Sequence, residues 1–229
     1  MKKLATSLLL LGAATAAHAQ TSAGTVLLGG NVGYNSSKEK ISSGSYAFEN
    51  SQQAFRIVPT VGYFITDNLA LGLAGGIERG KAKSSYKNDD PYATSNQYEL
   101  TGRSSSTYVG PFVRYYKMVG EKAAFYGQLD ASYRKGSAEN ERITPSSEIE
   151  VVKDNNRGFS SNITPGFVFF PTNKLGLELT LGYLGYYRAK TVQEKTDQMQ
   201  EWRRENSSFG ASFGLQYLNI GASFYLGGK

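Results

Sequence analysis

Six charged residues lie inside segments that otherwise alternate apolar and polar side chains, and they are the residues best placed to do chemistry. Each falls on the face of its segment opposite the bulky apolar side chains, because successive side chains of a β-strand point to opposite faces. Carboxylates and guanidinium groups gathered on one face predict a network of ion pairs. The six are Arg56, Glu78, Arg114, Asp130, Arg134 and Glu178.

Distance from the nearest turn predicts which of these charges meet. Arg56 and Glu78 stand 11 residues on either side of Asp67, so both are expected near the same rim on adjacent strands. Arg114 and Glu178 lie about half as far from their own turns, which predicts a pair at mid-depth that reaches across the interior. Such a network serves either as a plug that satisfies buried charges or as the gate of a narrow pore, and the sequence leaves both open.

Two residue types that are prominent in enzymatic chemistry, histidine and cysteine, are absent after the first 19 residues. The only histidine is His18 and there is no cysteine, which excludes histidine general-base catalysis, cysteine nucleophiles and the usual zinc or haem ligands. An acid pair such as Glu78 with Asp130 could still act on a lipid or peptide, but nothing singles that pair out. We therefore expect no enzyme, no metal site and no cofactor.

Two further motifs have simpler explanations than ligand binding. Gly72, Gly75 and Gly76 could suggest a phosphate-binding loop, but no helix-forming segment follows them, so small residues lining an interior explain them better. Asp89 and Asp90 are adjacent acids without the further spaced oxygen ligands that a calcium site requires.

Residues 1–19 have the pattern of a secretory signal, which leaves 20–229 as a single predicted domain. Lys2 and Lys3 precede an apolar stretch, and Ala17-His18-Ala19 matches a small-x-small cleavage site. Removing the signal leaves a net charge of +4. Because this charge is spread over segments of mixed sign, we expect no nucleic-acid partner.

Short turns and alternating segments predict eight strands in the mature chain. The turns are Thr66-Asp67-Asn68, a turn around Gly120, and Pro171-Thr172-Asn173. The strands are predicted at 24–35, 53–65, 69–78, 107–117, 123–134, 158–170, 175–187 and 208–226. Four polar stretches are predicted to be long loops: 36–53, 79–106, 135–158 and 188–207.

Bulky apolar side chains form a stripe on nearly every predicted strand. A barrel of about eight strands encloses too little space to hold them all, and the opposite face is rich in Gly, Ala, Ser and Thr. The apolar stripe is therefore predicted to face lipid, with the six charges in the lumen. The outward residues are expected to include Leu71, Leu73, Ile163, Phe167, Leu177, Leu179 and Leu181.

Aromatic residues are expected at both ends of this stripe, where bilayer interfaces select them. Near the turns they are Tyr63, Tyr115, Phe125, Phe169 and Phe224. Near the predicted loops they are Tyr34, Phe55, Tyr133, Phe159, Tyr187 and Phe209. The last strand keeps its alternation only with a bulge near Gln216-Tyr217.

Three passages resemble bacterial outer-membrane β-barrel domains, the small barrels similar to the transmembrane domain of outer-membrane protein A. They are PTVGYFITDNLALG at 59–72, GPFVRYY at 110–116 and LNIGASFYL at 218–226. The resemblance implies an all-β, eight-stranded antiparallel transmembrane barrel with short periplasmic turns and long extracellular loops. It also implies insertion into the bacterial outer membrane by the barrel-assembly machinery, and no shared catalytic residues.

Two functions therefore stay open. The first is a non-enzymatic barrel that stabilises the envelope or contacts an extracellular partner through its loops. The second is a narrow passive pore or a channel for small hydrophobic solutes, although eight-stranded barrels usually have filled lumens. In either case we expect a monomer surrounded by outer-membrane lipids, including lipopolysaccharide-type lipids.

Overall fold

The computed structural model describes residues 19–88, 97–143, 149–194 and 200–227. Antiparallel strands make up almost all of this part of the chain. The signal segment, apart from Ala19, and the pair Asp89 and Asp90 lie outside the described residues, so what the sequence predicts of them stays a prediction. Within the described ranges, no helix is long and apolar enough to cross a membrane.

Eight strands form one ring in which each pairs with the next along the chain. The first six are β1 (Val26–Ser43), β2 (Tyr46–Thr66), β3 (Leu69–Asn88), β4 (Gln97–Met118), β5 (Ala123–Ile143) and β6 (Ile149–Thr172). The last two each have two segments: β7 (Leu175–Thr180 and Gly182–Gln193) and β8 (Trp202–Phe213 and Asn219–Leu226). The ring closes where β8 pairs with β1. The predicted eight-stranded antiparallel fold is confirmed.

The three predicted short turns lie together at one end of the ring, which we call the turn end. Asp67 and Asn68 join β2 to β3, and Asn68 has a φ of 65°, a left-handed conformation that asparagine adopts more readily than most residues. Residues 119–122 join β4 to β5 around Gly120, whose φ is 69°. Asn173 and Lys174 make the third turn.

The polar stretches predicted as loops are largely strand. β1 and β2 stay paired as far as Ser43 opposite Tyr46, so that only two residues turn the chain. The β5–β6 ladder likewise continues to Ile143 opposite Ile149. A strand with water on both faces has no apolar alternation to reveal it, which is why the sequence pattern did not predict these segments. The wall therefore continues beyond the apolar stripe as a polar extension.

The apolar stripe lies on the outside of the ring, as predicted. Of the seven expected outward residues, six are exposed; Phe167 is half-buried because its ring packs edge-on against Phe125, with 5.5 Å between centroids. The exposed six are Leu71, Leu73, Ile163, Leu177, Leu179 and Leu181.

Two interruptions shift the alternation of the last two strands. In β7 the register moves from Gly166 opposite Thr180 to Ile163 opposite Leu184, which inserts one residue. Tyr187 therefore shares the lumen face with Ser160, and its predicted outward position was wrong. Tyr186 takes the outward place.

The interruption of β8 is a 3-10 turn at Leu215–Tyr217, where the sequence predicted a bulge. Phe209 and Phe213, before the turn, and Phe224, after it, are all exposed. The turn thus moves the outward face from odd-numbered to even-numbered positions, so that the apolar side chains on both sides of it face outward.

Candidate functional site

A packed cluster of inward-facing residues fills the lumen at the turn end, and we call it the aromatic plug. The rings of Phe170 and Tyr225 meet edge-on at 5.2 Å between centroids, and those of Phe64 and Tyr116 lie 5.5 Å apart. Aromatic pairs at these separations attract each other beyond their burial of area. The plug consists of Leu27, Phe64, Ala70, Phe112, Tyr116, Ala124, Tyr126, Val168, Phe170 and Tyr225.

Glycines on neighbouring strands make room for the rings of the plug. Gly72 stands opposite Phe112, and Gly166 stands opposite Tyr126. A Cβ atom added at either glycine would collide with the facing ring. Gly72 is therefore a packing residue, which agrees with the small-residue interpretation of the sequence motif around it.

Arg114 and Glu178 meet directly above the aromatic plug. Nη1 of Arg114 lies 2.9 Å from Oε1 of Glu178, although the two residues come from β4 and β7. Their side chains are only 5% and 9% exposed. Burying two ions costs several kcal/mol each unless surrounding groups compensate, so their other partners decide whether the pair is stable.

Polar and aromatic groups surround the Arg114 guanidinium. Its Nε donates to Oε1 of Gln128 at 2.9 Å, and its Nη1 donates to the Tyr116 hydroxyl at 3.0 Å. The guanidinium carbon also lies 4.4 Å from the ring centroid of Tyr126, close enough for a cation–π interaction. These contacts fix the side chain in the middle of the lumen.

The carboxylate of Glu178 is held equally closely. It accepts a hydrogen bond from the Tyr126 hydroxyl at 3.1 Å and another from the Ser223 hydroxyl. Both donors come from strands other than β7, so Glu178 ties β5 and β8 to its own strand. Arg114 and Glu178 together with the aromatic plug form what we call the floor of the lumen.

A second ion pair lies farther from the turn end and is more exposed to solvent. Nη1 of Arg134 lies 3.4 Å from Oε2 of Glu78 and donates to the Ser106 hydroxyl at 3.0 Å. The Arg134 guanidinium also lies 4.9 Å from the ring centroid of Tyr108. The side chains of Arg134 and Glu78 are 28% and 38% exposed. Solvent screening makes such a pair weaker than the one in the floor.

The predicted pairing of Arg56 with Glu78 was wrong. The two residues stand opposite each other in the β2–β3 register, but Nη2 of Arg56 donates to Oδ1 of Asn219. Gly33 lies between Arg56 and Asn219, and its missing side chain leaves the space through which Arg56 reaches β8. Glu78 is thereby left to contact Arg134.

The expectation that Asp130 is ion-paired was also wrong. Its carboxylate accepts a hydrogen bond from Nδ2 of Asn162 at 3.1 Å, and no ion pair joins it to another described residue. The neighbouring strand presents an amide at this register position, and a neutral donor satisfies the carboxylate without a second charge.

Above the floor the lumen widens into a cavity of about 660 Å³, which we call the cup. All six charged residues predicted from the sequence line it. A volume of this size is typical of sites for small molecules. The lumen is therefore a cavity with polar walls that is closed at the turn end by the floor.

The first residues of the described chain cover the floor from the turn side. The hydroxyl of Thr21 donates to Oδ1 of Asn68 at 2.7 Å, and Nε2 of Gln20 donates to Oδ1 of Asn173 at 3.2 Å. Both Gln20 and Thr21 are buried. This segment links two of the turns and adds a second closure beneath the aromatic plug.

The large residues of the plug were not predicted from the sequence. Their signal is parity: each lies on the face of its strand opposite the outward apolar residues and close to the turn end of that strand. The missed residues are Phe64, Tyr116, Tyr126, Phe170 and Tyr225.

A protein family and several solved structures are similar to this chain. Residues 5–217 match the family model described as outer membrane protein beta-barrel domain. The outer membrane protein OprG from Pseudomonas aeruginosa superposes with a TM-score of 0.51 at 9% identity, covering 91% of this chain and 98% of that one. This likeness concerns the fold alone. No curated protein matches significantly.

Two other solved structures superpose less closely. A major outer membrane protein from Thermus thermophilus has a TM-score of 0.45 at 13% identity, with 89% of this chain and 100% of that chain covered. Ail, the attachment invasion locus protein of Yersinia pestis, has a TM-score of 0.34 at 12% identity, with 89% and 99% covered.

Proposed function

Because the chain belongs to the family of outer membrane protein β-barrel domains, we propose that it is a non-enzymatic barrel that contacts other molecules at the cell surface. The observation that carries this proposal is the floor. The ion pair of Arg114 and Glu178 crosses the lumen above ten packed side chains. The turn end corresponds to the periplasmic side in such barrels, so the cup faces outward.

The floor argues against the alternative of a narrow pore or small hydrophobic-solute channel. A water path through it would require the plug rings to leave pockets formed by glycines on neighbouring strands, such as Gly72 and Gly166. Packed interiors of this kind do not deform continuously. The network of Arg114 and Glu178 is therefore better explained as part of a plug than as a gate.

The polar extension supports a role in surface contact. Ion pairs join its neighbouring strands: Nζ of Lys38 lies 2.8 Å from Oε1 of Glu49, and Nζ of Lys83 lies 2.7 Å from Oε2 of Glu99. The hydrogen bond with Lys38 lowers the pKa of the Glu49 carboxyl below its ordinary value, which keeps that carboxylate charged in mildly acidic surroundings. Paired strands hold such groups in fixed positions, as a recognition surface requires.

Outward cations beyond the apolar stripe support contact with anionic lipids of the outer leaflet. Arg79 follows the exposed Ile77, and Lys135 follows the exposed Tyr133. Lys135 stands directly opposite Arg157 in the β5–β6 register, an arrangement in which like charges repel. No ion pair with a described residue offsets these cations. Phosphates of lipopolysaccharide-type lipids would do so.

Single-channel recording of the purified full chain in planar bilayers tests the proposal. We expect no conductance steps, because the floor leaves no water path. Insertion is verified independently by the heat-dependent shift in gel mobility that folded barrels show. A control in which Phe112, Phe170 and Tyr225 are all alanine should conduct if it still inserts. Steady conductance steps from the unaltered protein would overturn the proposal in favour of a pore.

A further inference from the structure

The ring is closed by a short ladder between its first and last strands. β8 pairs with β1 only over seven residues of each, from Val26 opposite Leu226 to Val32 opposite Ile220. Beyond Val32, β1 continues to Ser43 paired only with β2. The segment Trp202–Phe213 of β8 is paired only with β7. Among the described residues, no ladder pair joins these two edges, so each presents unpaired backbone groups.

Two glycine bends explain why the ladder stops. Gly182 and Gly214 have φ values of 136° and 141° and lie at the interruptions of β7 and β8. The Gly214 amide donates to the carbonyl of Leu181 at 3.1 Å, so the two bends sit side by side. A Cβ atom at Gly182 would collide with the backbone of Ser212. Both strands of the last hairpin thus change course together.

Arg56 marks the lower edge of the resulting gap. After Val32 and Ile220, the next pair of the ladder would be Gly33 with Asn219. The backbone pairing ends there, and the Asn219 side chain accepts a hydrogen bond from Arg56 across Gly33 instead. A side-chain contact between β2 and β8 therefore ends the closed part of the wall.

The lining of the cup indicates that the gap passes through the wall. On β5, which has both neighbours, the lining residues alternate: Tyr126, Gln128, Asp130, Ser132 and Arg134. At the gap, consecutive residues line the same cavity: Gly33, Tyr34 and Asn35 on β1, and Ser208, Phe209 and Gly210 on β8. Consecutive residues of a strand face opposite sides, so a cavity that contacts both must pass around the strand edge.

Apolar and aromatic groups surround this opening. Tyr34 and Phe209 are 69% and 73% exposed and also line the cup, together with Leu218. Phe213 continues the outward apolar stripe beside the gap. The mouth of the opening therefore lies at the loop-side aromatic belt, where lipid chains meet their headgroups, while the wall behind it is polar.

We infer that the gap between β1 and β8 is a lateral opening through which the apolar chain of an outer-leaflet amphiphile enters the cup. The chain contacts the aromatic mouth, and the polar part of the amphiphile meets the polar walls. The cavity of about 660 Å³ accommodates a small-molecule ligand. The inference rests on the proposed outward-facing cup and requires no passage through the floor.

Tryptophan quenching by lipid tests the inference in the full chain. Trp202→Phe removes the only tryptophan. In that background, Ser212→Trp places a probe beside the gap, and Ser132→Trp makes the same substitution on an intact part of the cup wall. Each variant is reconstituted in phosphatidylcholine with brominated acyl chains. We expect at least twofold quenching for Ser212→Trp and little for Ser132→Trp.

Controls keep the outcomes distinct. Phe213→Trp, on the outward face, gives the full quenching of a lipid-exposed residue. If Ser132→Trp does not fold, Ser160→Trp on the same part of the wall replaces it. Equal, weak quenching of the Ser212→Trp and Ser132→Trp proteins would overturn the inference. Slow exchange of the amides of 202–213 that point away from β7, without quenching, would also overturn it, because another strand would then pair with that edge.

The proposed function and this inference fail in different experiments. Conductance steps from the unaltered protein would remove the closed floor but leave the quenching pattern unchanged. Absence of quenching at position 212 would remove the lateral opening but leave a non-conducting barrel with an outward-facing cup.

Discussion

Replacing Arg114 with alanine is expected to destabilise the barrel by about 3–5 kcal/mol, the usual cost of leaving a buried ion without its partner. The side chain of Glu178 is only 9% exposed, and without Arg114 its buried carboxylate would keep only the hydroxyls of Tyr126 and Ser223 as partners. The free energy of unfolding is measured by urea titration in lipid vesicles. The variant should remain silent in conductance recordings, because the plug lies beneath the lost side chain.

Two further variants separate ion pairing from simple loss of an arginine. Arg134→Ala breaks the solvated pair with Glu78 and should cost about 1 kcal/mol or less. Arg114→Met combined with Glu178→Gln leaves no ion unpaired and should recover much of the lost stability. If Arg114→Ala costs no more than Arg134→Ala, the floor is open to water and the plug interpretation fails.

Replacing Leu179 with arginine is expected to cost about 2–4 kcal/mol, the penalty for a cation on the lipid face near mid-bilayer. Leu179 is 40% exposed in the absence of lipid and stands between Phe167 on β6 and Ile220 on β8. Its outward side chain would have to carry a charge into hydrocarbon. The same urea titration measures the effect.

The adjacent residue provides the matched control. Thr180 points the other way and lines the cup, so Thr180→Arg places the same charge in a polar, hydrated space. Its cost should be much smaller. The reverse order, a tolerated arginine at position 179 and a damaging one at 180, would mean that the two faces of the wall have been exchanged.

Features that follow from alternation were predictable from the sequence. The outward stripe follows from parity along each strand, because that property does not depend on the partner strand. Which of several nearby partners a lumen side chain contacts was not predictable from the sequence. Arg56 and Glu78 share a register position, yet Arg56 contacts Asn219, and that contact depends on where the β1–β8 ladder ends.

Single inserted residues and polar strands limited the prediction further. The extra residue near Gly182 reverses the faces of the rest of β7 and moves Tyr187 into the lumen. Nothing in the local pattern distinguishes this bulge from regular strand. The polar extension was predicted as loops because β-pairing in water needs no apolar face, so its ladders leave no periodic signal.

Sided labelling of a single cysteine tests the central claim, a cup that is open outward and closed at its floor. The chain has no cysteine of its own, so Ser160→Cys, in the wall of the cup, provides a unique thiol. In vesicles of known orientation, a membrane-impermeant maleimide should label it from the extracellular side and fail to label it from the periplasmic side. Equal labelling from both sides would contradict the account, because it would require a water path through the floor.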